Sequence, residues 1–208
     1  MSSLSENTRL ETFCDGVIAI AITILILEIK IPPVETIHSV TDLWTAIARL
    51  WPSYLAFVLS FTTILISWVG HHAIFKFIDK SSSYFLFANG FFLLTIVVIP
   101  FPTALMAEYV RTSYAQPAIV LYCFANLFHN VGWNVLIAGI LKPRNLLRDP
   151  EMTKEMKGRL KGARFGFIMN SAMTIIAIWL PYIALVIITL FWAYWLYSGI
   201  SAPEENNR

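Results

Sequence analysis

The chain carries an apolar stretch from Arg164 to Ile200, nearly twice the length one helix needs to cross a bilayer, and four further apolar runs precede it. A hydrocarbon core takes ~20 mostly apolar residues per helix, so the long stretch has to fold back on itself. Pro181 marks the place. Proline removes a backbone donor and disfavours helix at the preceding Leu180, so the spacing predicts a tight hairpin with helices over about Phe165–Trp179 and Pro181–Tyr197. With the runs Thr12–Ile31, Leu50–Phe75, Tyr84–Glu108 and Pro117–Leu141, the expectation is an all-α membrane protein with six transmembrane helices. One kinked helix across Pro181 is the alternative, and it would move the C-terminus to the other side.

Composition excludes the soluble classes. Of 208 residues 57% are hydrophobic and 13% charged, against roughly 25% charged in an ordinary soluble domain. A net charge of +2 gives no basic footprint, so no nucleic-acid partner is expected. Cys14 and Cys123 both fall in apolar stretches without CxxC or Cys/His spacing, which reads as packing rather than a disulfide or a metal site. The first apolar run has charged residues ahead of it and no small-residue cleavage site after it, so it is expected to stay in the mature protein. Residues 1–200 read as a single six-helix domain and 201–208 as a polar disordered tail.

Loop charge orients the helices. With six spans, Arg9, Lys76, Lys80, the eight basic residues from Lys142 to Arg164, and Arg208 share one side, which is 12 of the 15; Lys30, Arg49 and Arg111 fall on the other. The positive-inside rule then puts both termini in the cytoplasm. Trp51, Tyr54, Tyr84, Tyr109, Trp192, Trp195 and Tyr197 lie near span ends, as interfacial belts require. The Lys142–Arg164 loop reads either as a short amphipathic helix on anionic lipid or as a solvated connector.

The first helix holds the densest pattern: Arg9-Leu-Glu11-Thr-Phe13-Cys14-Asp15-Gly16, then Ile20, Thr23, Leu27 and Glu28. An acidic side chain at the end of a membrane helix is costly unless paired or wetted. Asp15 with Arg9 therefore reads either as an internal polar network pinning this helix, or as two headgroup-level residues with Asp15 favoured by the helix dipole. Phe13, Gly16, Ile20, Thr23, Leu27 and Ile31 follow steps of three and four and form one stripe. On spacing alone that stripe is open to packing or to pore lining.

This motif, Arg9-x-x-x-Phe13-Cys14-Asp15 followed by Gly-x-x-Ala-Ile-Ala-x-Thr-x-Leu-x-Leu-Glu, resembles the signature of the transmembrane protein 175 family, the endosomal and lysosomal potassium channels and their bacterial homologues. The family pattern is Arg-x-x-x-Phe-Ser-Asp, and Cys14 replaces the serine. A single repeat is similar to the bacterial members. The resemblance implies a homotetramer in the inner (cell) membrane, four copies of the first helix lining a central pore, and potassium as the permeant ion with no cofactor. It also implies a constriction of aliphatic side chains in place of a Thr-Val-Gly-Tyr-Gly filter loop. By motif offset the narrow ring falls at Ile20, with Thr23 and Leu27 beyond it, and Arg9, Phe13 and Asp15 serve packing and assembly.

Other polar residues sit within the spans. Helix two ends Trp68-Val-Gly70-His71-His72, and Asn89 lies near the same side in helix three. Neighbouring helical residues point about 100° apart, so His71 and His72 cannot form a two-histidine zinc site. Either one of them joins Trp68 and Asn89 in a network around Arg9 and Asp15, or both are interfacial. Helix four carries Asn126, His129, Asn130 and Asn134, which reads as inter-helix bonding or as an ion path. Pro100 and Pro102 are placed to kink helix three.

Three functions compete on this sequence. The first is a passive potassium-selective channel, with Asp15 and Glu28 as candidate carboxylates at the pore mouths. The second is a secondary or proton-coupled transporter using the polar residues of helix four. A membrane enzyme comes last, because the spans hold no paired carboxylates, nucleophile motif or metal cluster.

Overall fold

The computed structural model describes residues 6–143, 146–147, 149 and 151–201. Helix α1 (Glu6–Ile24) tightens into a 3-10 turn at Leu25–Glu28, and a second such turn covers Val34–Thr36. Then follow α2 (Val40–Arg49), α3 (Trp51–Phe75), α4 (Ser83–Val97), α5 (Pro100–Tyr109), α6 (Ala115–Leu141), α7 (Met152–Trp179) and α8 (Pro181–Ser201). Among the described residues, five segments are long and apolar enough to cross a membrane: Asn7–Glu28, Trp51–Phe75, Ser83–Tyr109, Ala115–Leu141 and Met152–Trp179. The apolar helix Pro181–Tyr197 is shorter.

Pro181 acts as the spacing predicts. Leu180 leaves helical geometry with φ −129° and ψ 63°, and α7 and α8 pack back on each other. Gln116 Nε2 donates to the Ile178 carbonyl at 2.9 Å and the Tyr182 hydroxyl to the Val110 carbonyl at 3.1 Å, tying the hairpin to the segment ahead of α6 and to its first turn. Pro100 and Pro102 divide the third span: neither has an N–H, and Phe101 N–H bonds the Val98 carbonyl three residues back at 3.3 Å.

Three boundaries depart from expectation. The fifth span is a 28-residue helix that starts at Met152, so residues 152–164 of the expected loop are its first turns rather than a separate amphipathic helix or a connector. Met156 is fully buried there and Leu160 packs on the core, while Arg159 pairs with Glu155 at 2.9 Å one turn away. Arg144 and Arg148 of that loop, and the expected polar tail beyond Ser201, lie outside the described residues. The first span covers Asn7–Glu28, because Ile31 precedes a Pro-Pro pair and Ile29 is already extended. Helix α2, capped by Ser39 Oγ accepting from Asp42 N–H at 3.0 Å, had no counterpart in the sequence reading.

Packing divides into two clusters. One joins Cys14, Ile18 and Ala21 of α1 and Leu25 of the 3-10 turn to α3, α4 and α6, and the other joins the first half of α3 to α5, the start of α6, α7 and α8. At the end that carries Glu6, the segment after α3 meets the segment before α7: Asp79 N–H donates to the Leu146 carbonyl at 2.9 Å. Asn7 Nδ2 donates to the Ile78 carbonyl at 3.4 Å, so the first turn of α1 is tied to the same loop.

Candidate functional site

Helix α1 has two opposite faces. Cys14 and Leu25 are 0% exposed, and Ile18 and Ala21 are buried with them. Ile20 is 62% exposed and Leu27 68%, and Phe13, Gly16 and Thr23 lie open along the same stripe; Ile31, expected to continue it, is exposed but falls after the helix has ended. The Thr23 hydroxyl donates to the Ala19 and Ile20 carbonyls, each at 2.9 Å, so it stays folded onto its own helix. At the far end Glu28 Oε2 lies 3.6 Å from Lys30 Nζ.

The side turned toward α3 is held by two partly exposed rungs. Trp68 Nε1 donates to Asp15 Oδ1 at 2.9 Å, and His72 Nδ1 meets Glu11 Oε1 at 3.0 Å. Asp15 and Glu11 are one turn apart on α1, as Trp68 and His72 are on α3, and their two rings stack at 6.0 Å. Beneath them runs a second link: Asn89 Nδ2 of α4 donates to Cys14 Sγ at 3.0 Å, and Asn89 Oδ1 accepts from His71 Nε2 at 2.9 Å. An amide oxygen only accepts, so the neutral His71 ring carries its proton on Nε2.

The structure thus brings together Cys14, Asp15, Trp68, His71, His72 and Asn89. Both histidines take part, each toward a different helix. Arg9 is not brought in: it is exposed and makes no ion pair with Asp15, whose partner is the Trp68 indole. Phe13 points away from the network. Glu11 was missed in the sequence reading, although its position one turn before Asp15 and the matching spacing of Trp68 and His72 were the signal for it.

Helix α6 carries a separate buried cluster. His129 lies between Ser67 Oγ at 2.7 Å from Nε2 and Thr95 Oγ1 at 2.9 Å from Nδ1, joining α3, α4 and α6. Each hydroxyl also reaches a helix carbonyl, Ser67 that of Thr63 and Thr95 that of Phe92. A neutral ring has one N–H, so one hydroxyl turns its proton to the ring while the other keeps its carbonyl. Asn126 Nδ2 bonds the Tyr122 carbonyl at 2.9 Å, and Asn134 Nδ2 reaches Asn130 and the Ala163 carbonyl of α7 at 3.1 Å. Among the described residues, no group of three or more His, Cys, Asp or Glu could hold a metal ion.

An all-helical, multi-pass membrane protein whose first helix is clamped along one face and bare along the other is the class defined by this fold and site. Residues 9–100 match the family described as endosomal/lysosomal potassium channel TMEM175. A potassium channel of Chamaesiphon minutus is 36% identical over 192 residues, covering 91% of this chain and 94% of that protein. The crystal structure of a lysosomal potassium-selective channel TMEM175 homologue from the same organism superposes with a TM-score of 0.84 at 32% identity, covering 94% of this chain and 98% of that one. The endosomal/lysosomal proton channel TMEM175 of Gallus gallus is 31% identical over 147 residues, which is 66% of this chain and 29% of that protein. The chain belongs to the TMEM175 family, a family of ion channels rather than enzymes.

Proposed function

We propose that this protein is a passive, potassium-selective cation channel in which four copies assemble around a pore lined by α1. The two-faced packing of α1 carries the reading: a helix clamped by Asp15, Glu11 and Cys14 on one side leaves a stripe from Phe13 to Leu27 exposed among the described residues. In a four-fold arrangement Ile20 forms the narrow aliphatic ring, with Thr23 and Leu27 further along. A ring of isoleucines cannot replace an ion's hydration shell, so it is the barrier to passage. Glu28 supplies negative charge at one mouth. The Chamaesiphon minutus relatives are named as potassium channels, which supports potassium as the permeant ion. Pro181–Tyr197 counts as the sixth span, both termini are cytoplasmic, and the protein resides in the cell membrane.

Reconstitution into planar bilayers under a potassium gradient tests this. The expected result is discrete unit currents reversing near the potassium equilibrium potential. Slow, saturable flux without unit currents would overturn it and favour a secondary or proton-coupled transporter built on Asn126, His129, Asn130 and Asn134. That reading has less support, because the hydrogen bonds found for Asn126, His129 and Asn134 are spent within and between helices.

A further inference from the structure

Away from α1, a cavity of about 400 Å³ lies between α3, α6, α7 and α8. Helix α7 contributes Gly158 and Gly162, one turn apart, and a Cβ added at either glycine meets nothing within 4 Å. Helix α8 contributes Phe191, Trp192 and Trp195. The volume is within the ~300–1,000 Å³ usual for small-molecule sites, and such sites are mostly apolar with few polar groups.

Two of the lining residues carry buried polar atoms that have no partner among the described residues: Asn170 Oδ1, an acceptor, and Trp192 Nε1, a donor. Asn170 is 2% exposed and Trp192 9%. The amide nitrogen of Asn170 places one of its two N–H groups on the Gly166 carbonyl at 2.8 Å, whereas its oxygen has no partner. The two residues stand about 2.8 and 3.3 turns from the break at Leu180, so the antiparallel helices carry them within about 3 Å of the same depth. Buried polar groups are ordinarily paired. A leftover acceptor and a leftover donor at one depth are satisfied together by a group that both donates and accepts. A hydroxyl does this, whereas a hydrocarbon chain does neither and a metal cation cannot accept.

We propose that this cavity binds a neutral apolar molecule bearing one hydroxyl group, an amphiphilic alcohol, with its hydrocarbon body along Gly158 and Gly162 and its hydroxyl between Asn170 and Trp192. The site shares no residue with the exposed stripe of α1, so its occupancy is independent of the pore reading.

A matched pair of probes tests it: 2-decalol and its hydroxyl-free analogue 2-methyldecalin, titrated against the purified chain. Native mass spectrometry counts the bound molecules and thermal unfolding reads their effect. The expected result is saturable binding of one decalol per chain, roughly tenfold tighter than methyldecalin. Asn170→Leu should bring decalol down to the methyldecalin level, and Gly162→Phe, whose ring enters the open space, should abolish binding of both. Equal affinity of the two probes for the unaltered chain would overturn the proposal without need of any variant. So would tighter decalol binding that survives Asn170→Leu, or binding of either probe unchanged by Gly162→Phe. If Gly162→Phe does not fold, Trp192→Phe takes its place, and a decalol preference that persists in it overturns the proposal equally.

Discussion

The indole N–H of Trp68 is bonded to the carboxylate of Asp15 at 2.9 Å, so the acidic residue in the middle of α1 is answered by a neutral donor from α3. A hydrogen bond to a charged group contributes about 1.5–3 kcal/mol, and Trp68 is partly exposed, which favours the lower end. Asp15→Ala removes the acceptor and should lower the thermal unfolding temperature and the yield of assembled protein. Asp15→Asn keeps an oxygen in place and should recover most of both. Unfolding and gel filtration identical to the unaltered protein in Asp15→Ala would show that this bond does not hold α1.

Cys14 offers a complementary case. Its sulfur is a weak acceptor for Asn89 Nδ2 at 3.0 Å. Cys14→Ser places a stronger acceptor at the same point and should raise stability modestly, by up to about 1 kcal/mol. Cys14→Ala leaves the Asn89 amide short of a partner and should lower it. The order Ser, Cys, Ala in denaturation midpoint is the outcome to look for.

The stripe of α1 gives the functional prediction. Ile20→Asn provides an ion with polar atoms at the proposed constriction, so single-channel current should rise and discrimination of potassium over sodium should fall. Thr23→Ala should change selectivity more than unit current. Ala21 and Leu25 are buried against the rest of the chain, and substitution there should act through stability alone. Bilayer recordings in which an Ala21 or Leu25 variant shifts the reversal potential while Ile20→Asn does not would reverse the assignment of the two faces.

Contact between α4 and α6 is close enough to be tested by one methyl group. A Cβ at Gly139 would sit 2.6 Å from the Ala88 Cβ, and one at Gly132 would sit 2.6 Å from Thr95 Oγ1, which bonds His129. Neither neighbour is the far end of a flexible side chain, so Gly139→Ala and Gly132→Ala should each cost roughly 1–3 kcal/mol in chemical denaturation. Gly90→Ala meets nothing within 4 Å and serves as the neutral control.

Orientation is open to direct labelling. Cysteines placed near Met1 and Arg208 should be shielded from a membrane-impermeant reagent on intact cells. One placed in α2, between Val40 and Arg49, should react. External labelling near either terminus would refute the inside placement that loop charge implies.

Span positions were legible because each depends on a local property: the length of an apolar run, or the missing N–H of Pro181 and Pro100. The register of α1 was legible for the same reason, since steps of three and four separate Ile20 from Ala21 without knowledge of any neighbour. Partner choice was not. Arg9 was the nearest opposite charge to Asp15 in sequence, yet the partner is Trp68, because α1 and α3 run antiparallel and their register sets which side chains meet. The same cause hid Glu11 with His72 and the Ser67–His129–Thr95 cluster, whose members are distant in sequence. Helix α2 escaped for a different reason, being too short and too polar to register as an apolar run.

Helix α7 has 28 residues, about 42 Å of rod at 1.5 Å per residue. A hydrocarbon slab of ~30 Å leaves about a quarter of that length standing in water. Its first turns, pinned to the core through Met156 and Leu160, therefore hold Lys154, Lys157 and Lys161 in fixed positions beyond the slab and offer a rigid epitope. A binding reagent raised against that lysine-bearing face would add mass and a fixed direction for particle imaging while leaving the exposed stripe of α1 untouched.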